Sequence, residues 1–176
     1  MTFNWIVCSL SFYIVGFYLS DFPGSLYANA GVMILADLLT WILSIPFISY
    51  LEIRNGFTAW YCSLIWITIL YTFFGKIEIL AYVFVFLMRF LLAMAFSLSY
   101  FGTSELFDVK VKSRSFATCN FFARTFTIAS PILVEVIPRP ILVITCLSVF
   151  SGVLSQFLQK GNNFKDPEGL VDYKRD

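Results

Sequence analysis

The chain has 176 residues, a mean hydropathy of +0.82, 59% apolar residues and only 13% charged ones. Soluble domains carry about 25% charged and about 45–50% apolar residues, so this composition excludes an ordinary soluble globule and indicates an all-α integral membrane protein. A net charge of +1 gives no case for nucleic acid, and the lack of histidine removes the commonest metal ligand and general base.

A spanning helix needs about 20 mainly apolar residues. Six are expected, which make residues 1–159 a six-span membrane domain. The first runs near 4–20; no Lys or Arg precedes it and it is long for the apolar core of a leader, although "ANA" at 28–30 resembles a cleavage site. The Pro-Gly pair in "SDFPGS" then predicts a turn. The second span, 28–50, carries Asp37 and ends at the charged "EIRNG". The third, 57–74, ends at "GKIE". The fourth, 79–101, carries Arg89 and leads into "TSELFDVKVKSR", residues 103–114, expected to be the one long polar connection. The fifth, 115–137, carries Arg124, and Glu135 lies at its outer end as an interfacial residue. Prolines bracket Arg139 in "IPRP" and favour a turn before the sixth span, 140–158. The tail, 160–176, lacks apolar periodicity and is expected to be disordered.

With six spans both termini share one side. That side collects Arg54, Lys110, Lys112, Arg114, Lys160, Lys165, Lys174 and Arg175; the other has Lys76 and Arg139. The positive-inside rule then places both termini and the 103–114 connection in the cytoplasm of a multi-pass membrane protein, with the plasma membrane as the expected location.

Arg89, Arg124 and Asp37 remain, each near the centre of a span. An arginine there costs about 2.5–3.5 kcal/mol on insertion scales and cannot escape by losing its proton. Such groups face the bundle interior or a wet cavity. Asn120, Arg124, Thr127 and Pro131 share one helical face, opposite Phe121, Phe122, Phe126 and Ile128. Arg89 shares a face with Ala93, Phe96, Ser97 and Tyr100, and Asp37 with Thr40, Trp41 and Ser44. Asp37 can instead serve as a structural tie to one arginine. It cannot neutralise both, so one cation is left to attract an anion. Cys8, Cys62, Cys119 and Cys146 all lie in apolar runs without CxxC spacing; they are expected to be small buried hydrophobes, not metal ligands or disulfides. No paired acids or Ser/His set favours an enzyme: Glu105 and Asp108 look like a capping and switch pair.

The run "RFLLAMAFSLSYFGTSELFDVKVKSRSFATCNFFARTFTIASP", residues 89–131, resembles the organic ion transporter branch of the major facilitator superfamily, which includes organic cation, organic anion and carnitine carriers. Members have a basic residue in the tenth helix, a cytoplasmic "ELYPT" motif with a nearby basic residue, and Arg or Asp seven residues before a proline in the eleventh helix. Arg89, "TSELF" with Glu105, Lys112, and Arg124 before Pro131 fall at these positions. "GSLYANAGVMILAD" is similar to the family's eighth-helix "GNIYLNFFLSGLVE", with Asp37 at its glutamate, and "WIVCSLSFYIVGFYLS" to its seventh helix. Asp108 replaces the proline of "ELYPT", Leu39 replaces the eighth-helix proline, and "LEIRNG" keeps only Arg54 and Gly56 of a glycine–arginine-rich loop.

The resemblance implies the carboxy-terminal six-helix half of a major-facilitator bundle. It implies Arg124, Arg89 and Asp37 as substrate-binding residues and Glu105 with Lys112 as gating residues; the shared helical faces add Asn120, Thr127 and Tyr100 to the substrate-binding set, with Phe121 and Phe126 as further aromatic walls. Arg at the position of Arg124 goes with anion carriers in that family. The expected function is transport of a small organic ion, an anion favoured, without cofactor or metal; beyond membrane lipid, the second wall would come from another six-helix half or a homodimer. The alternative is a truncated or degenerate membrane protein that acts as an interaction partner.

Overall fold

A computed structural model describes residues 1–50 and 53–157. The helices are α1 (Thr2–Phe17), α2 (Leu26–Tyr50), α3 (Ile53–Phe74), α4 (Glu78–Leu106), α5 (Val109–Thr127), α6 (Ser130–Val136) and α7 (Pro140–Ser155), with a 3₁₀ turn at Tyr18–Asp21 after α1. The expected tail, 160–176, lies outside the described residues.

Among the described residues, four stretches are long and apolar enough to cross a membrane: Thr2–Asp21, Leu26–Phe47, Ile53–Phe74 and Glu78–Leu106. The sequence reading of six spans differs at the other two. The expected fifth span is two helices. Pro131 has no N–H for the carbonyl of Thr127, four residues back, and its ring crowds that carbonyl; the Ser130 hydroxyl donates to it instead, at 2.6 Å. The helix ends at Thr127 and restarts at Ser130. The expected sixth span is a helix of 16 residues, about 24 Å long at 1.5 Å per residue.

The polar connection expected at 103–114 is also almost wholly helical. α4 continues to Leu106, carried by Thr103, whose hydroxyl donates to Ser99 O at 2.7 Å. Asp108 then starts α5, its carboxylate accepting from Val109 N at 2.7 Å. Lys110, Lys112 and Arg114, all good helix formers, occupy its first turns.

α1 and α4 form the centre: half of each span is buried, against 17% of α2 and 22% of α3. α2, α4, α1 and α5 follow one another as neighbours in that order, while α3 and α7 pack together and rest on α4 and α1; α6 also rests on α1. Trp5, Ile14, Phe57, Tyr61, Leu64, Met88 and Leu92 are fully enclosed. Polar ties cross between helices. Thr145 donates to Thr68 at 2.8 Å, Ser151 donates to Asn4, and Cys8 Sγ lies 3.2 Å from the Tyr61 hydroxyl. Cys8 and Cys119 are buried as expected of small hydrophobes, whereas Cys62 and Cys146 are exposed.

The turn into α2 is fastened to α4. Ser25 accepts from Ala28 N and its own N–H reaches the Tyr82 hydroxyl at 3.1 Å. Gly24 holds φ at 102°, a conformation open chiefly to glycine, and a Cβ there would run into the Tyr82 ring. Gly24→Ala is expected to cost about 1–3 kcal/mol in backbone strain alone, read as a lowered unfolding midpoint; an unchanged midpoint would show that the turn is not held as described.

Candidate functional site

The three charges expected within spans fall on α2, α4 and α5; α2 and α4, which carry Asp37 and Arg89, are long and apolar enough to cross a membrane, whereas α5, which carries Arg124, is not among the candidate spans. Asp37 and Arg89 meet side-on. Arg89 Nε donates to Asp37 Oδ1 and Nη2 to Oδ2, both at 2.9 Å. This two-point geometry is the strong form of the pair. The remaining donor, Nη1, reaches the backbone carbonyl of Phe12 on α1 at 3.1 Å, and the guanidinium lies over the Phe12 ring, 3.3 Å from its centroid. Arg89 is only 12% exposed and Asp37 33%. Arg89 is therefore tied off, and it joins α2, α4 and α1.

Arg124 has a different setting. It is exposed, and its side-chain partner is the Tyr13 hydroxyl, which accepts from Nη1 at 2.8 Å. No carboxylate lies within ion-pair distance among the described residues. The charge balance of the site is thus resolved in space: two of its three charges cancel, and the uncancelled one stands at an accessible surface.

The two arginines are connected through α1. Phe12 and Tyr13 are in ring contact at 5.9 Å, with Arg89 on the first and Arg124 on the second. The same row continues through Phe96, Tyr100 and Trp5 by centroid separations of 6.1 Å (Phe12–Phe96), 5.2 Å (Phe96–Tyr100) and 4.4 Å (Trp5–Tyr100). Phe116 of α5 lies 6.0 Å from both Tyr100 and Trp5 and closes the far end. Trp5 is fully buried and donates from Nε1 to Thr103 Oγ1 at 2.8 Å. The result is a row of aromatic rings flanked by a guanidinium that is held by a phenol and has no carboxylate partner among the described residues, a combination that suits an apolar body carrying an anionic group.

Not every residue singled out from sequence joins this strip. Tyr100 does. Thr127 is spent on structure: its hydroxyl donates to Ala123 O at 2.7 Å and lies 2.9 Å from Ser9 Oγ. Asn120 is exposed and its side chain has no hydrogen-bond partner among the described residues. Phe121 and Phe126 are exposed, and neither is in ring contact with Tyr100, so the aromatic walls come from α1 and α4 instead. Glu105 and Lys112 are half-buried on either side of the α4–α5 junction and form no ion pair among the described residues. Phe12 and Tyr13 were not singled out from sequence. The signal available was the Tyr13 hydroxyl, which lies on the face of α1 that also carries Ser9.

No family model matches the chain. The chain is similar to solute carrier family 22 member 15 of Xenopus tropicalis, with 26% identity over 187 aligned positions. The alignment covers 99% of this chain and 35% of that relative, so the chain spans about a third of its length.

Proposed function

We propose that this chain forms one wall of a membrane carrier for small organic ions and favours organic anions. The carrying observation is the pairing of Asp37 with Arg89, which leaves Arg124 as an exposed cation whose side-chain partner among the described residues is a phenol. The likeness to a solute carrier along nearly the whole chain supports the transport reading. In this reading the chain corresponds to the carboxy-terminal six-span half of a major-facilitator bundle, with both termini cytoplasmic in the plasma membrane. A second six-helix half or a second copy supplies the facing wall, and rocking of the walls alternates access to the site. Arg124 takes the anionic group, Tyr100, Phe96 and Phe12 take the organic body, Asn120 lies within the same exposed face, and the Arg89–Asp37 pair keeps its helices in register.

Uptake of a radiolabelled aromatic carboxylate by cells making this chain tests the reading. Charged hydrogen bonds contribute about 1.5–3 kcal/mol, so Arg124→Ala is expected to lower uptake by about 10- to 150-fold at matched surface expression, and Tyr13→Phe much less. Equal uptake by wild type and Arg124→Ala would remove the assignment.

A second reading is a membrane protein without transport activity that associates with a full-length carrier. It is favoured by one observation: Glu105 and Lys112 do not engage each other, and Asp108 is spent on capping α5. Absence of uptake at every expression level, with co-purification of a carrier, would support it.

A further inference from the structure

The start of α5 carries an exposed serine inside a run of cations. Ser113 has Lys110 three residues before it, Lys112 immediately before it and Arg114 immediately after it. Lys110 and Arg114 are exposed, and none of the three cations forms an ion pair among the described residues, although Glu105 and Asp108 lie in the same stretch. The Ser113 hydroxyl has no hydrogen-bond partner among the described residues. The hydroxyls near it are placed differently. Ser104 donates to Phe101 O, and the buried Thr103 donates to Ser99 O. Ser115 is half-buried next to Phe116, whose ring lies edge-on to Trp5.

The first turns of α5 are also lightly anchored. The two buried residues of that helix, Cys119 and Ala123, both come after Ser113. Ahead of them the helix is fastened by Asp108, whose carboxylate accepts from Val109 N and whose carbonyl accepts from Val111 N at 3.0 Å and Lys112 N at 2.9 Å. A segment without buried side chains opens at small cost, and opening is what an enzyme acting on an extended chain requires.

We propose that Ser113 is a phosphorylation site for a protein kinase that selects basic sequences. Such enzymes choose substrates by charge pattern, and three cations without ion-pair partners beside a free hydroxyl supply one. The Ser113 oxygen bonds to the γ-phosphorus of ATP. The bond from that phosphorus to the oxygen bridging it to the β-phosphorus breaks and releases ADP, and the hydroxyl proton passes to the catalytic base of the kinase. The new group carries about 1.5–2 negative charges. Set against Lys110, Lys112, Arg114, Glu105 and Asp108, it turns the net charge of the segment from positive to negative, and an anionic leaflet then repels what it had attracted. The proposal rests on the reading above that places the 103–114 connection in the cytoplasm, where ATP and such kinases meet the chain.

The full chain in lipid nanodiscs is incubated with ATP and the catalytic domain of protein kinase C, and phosphopeptides are mapped by mass spectrometry. Ser113 is expected to be the principal site. Lys110→Gln together with Lys112→Gln is expected to slow its modification at least tenfold. Modification concentrated at other hydroxyls, a rate that survives loss of both lysines, or no modification at all would each overturn the site. The side of the membrane is read separately: Ser113→Cys is expected to react with a membrane-impermeant maleimide, above the wild-type background, only in permeabilised cells. Reaction in intact cells would overturn the proposal through its orientation, even with Ser113 modified in nanodiscs. None of these readouts uses uptake, so failure of the carrier assignment leaves them unchanged.

Discussion

Replacing Asp37 by Asn is expected to destabilise the protein more than replacing Arg89 by Gln, although the two side chains belong to one ion pair. Removing one partner of a fully buried pair costs about 3–5 kcal/mol, because the survivor is left charged and unsolvated; the Asp37–Arg89 pair is part-buried, so that range is an upper bound here. The survivors differ. A carboxylate that loses its partner can take up a proton and become neutral, whereas a guanidinium cannot shed one. Asp37 also retains 33% exposure while Arg89 retains 12%, so the carboxylate is the better solvated survivor. Arg89 keeps the Phe12 carbonyl and ring after Asp37→Asn, which holds the loss toward the lower end of that range. The double variant, Asp37→Asn with Arg89→Gln, is expected to be more stable than Asp37→Asn alone. Unfolding midpoints of the four proteins in detergent, arranged as a double-mutant cycle, measure this. An equal loss from each single variant, or additive losses, would show that the pair is not the tie described.

Trp5→Ala is expected to be as damaging, at about 3–5 kcal/mol, the usual loss when a large buried aromatic is truncated. Trp5 has no exposed surface and connects three helices: it contacts Tyr100 and Phe96 of α4, and Phe116 of α5 lies against it edge-on. It also belongs to the small cluster with Cys119 and Ala123, the two buried residues of α5. α5 packs mainly on α1 and only lightly on α4, so loss of Trp5 removes much of what seats α5. Trp5→Phe should cost less than Trp5→Ala: it loses about 0.5–1.5 kcal/mol for the hydrogen bond, while Thr103 keeps its own bond to Ser99 O, plus a smaller cavity term where the phenyl ring underfills the enclosed indole site. Thermal unfolding gives the ranking, and cysteine accessibility at Cys119 gives the location. A mild Trp5→Ala variant with Cys119 still protected would contradict the seating.

Much of this was legible in the sequence for a simple reason. Long apolar runs bounded by Pro-Gly or charged segments are costly to place anywhere but in membrane helices, so the elements stand out. Counting the charges in the expected spans leaves one arginine without a carboxylate, and among the described residues that arginine is Arg124. Which one did not follow from counting, because it depends on helix neighbours: α2 lies beside α4 and not beside α5. Phe12 and Tyr13 escaped notice because, in a chain with 21 phenylalanines and 9 tyrosines, an aromatic pair in an apolar run carries little information. The break between α5 and α6 is equally instructive. Pro131 splits its helix, yet α2 continues through Pro46. A proline in an apolar run therefore does not decide between a continued and an interrupted helix; at Pro131 the neighbouring Ser130 hydroxyl, which satisfies the freed carbonyl, is part of the difference. The helical character of 103–114 is hidden in the sequence for the opposite reason: hydrophilicity marks exposure, and exposed Lys and Arg are at home in a helix.

Under the carrier reading proposed above, the contact between Tyr13 and Arg124 would have a kinetic meaning. A phenol oxygen is a neutral acceptor that an incoming carboxylate would outrank, so displacing it would strand no opposite charge. Once the visitor departed, the hydroxyl would return as a default cap. A latch of this kind would permit quick exchange in both directions, which a carboxylate in the same place would slow by competing on equal terms.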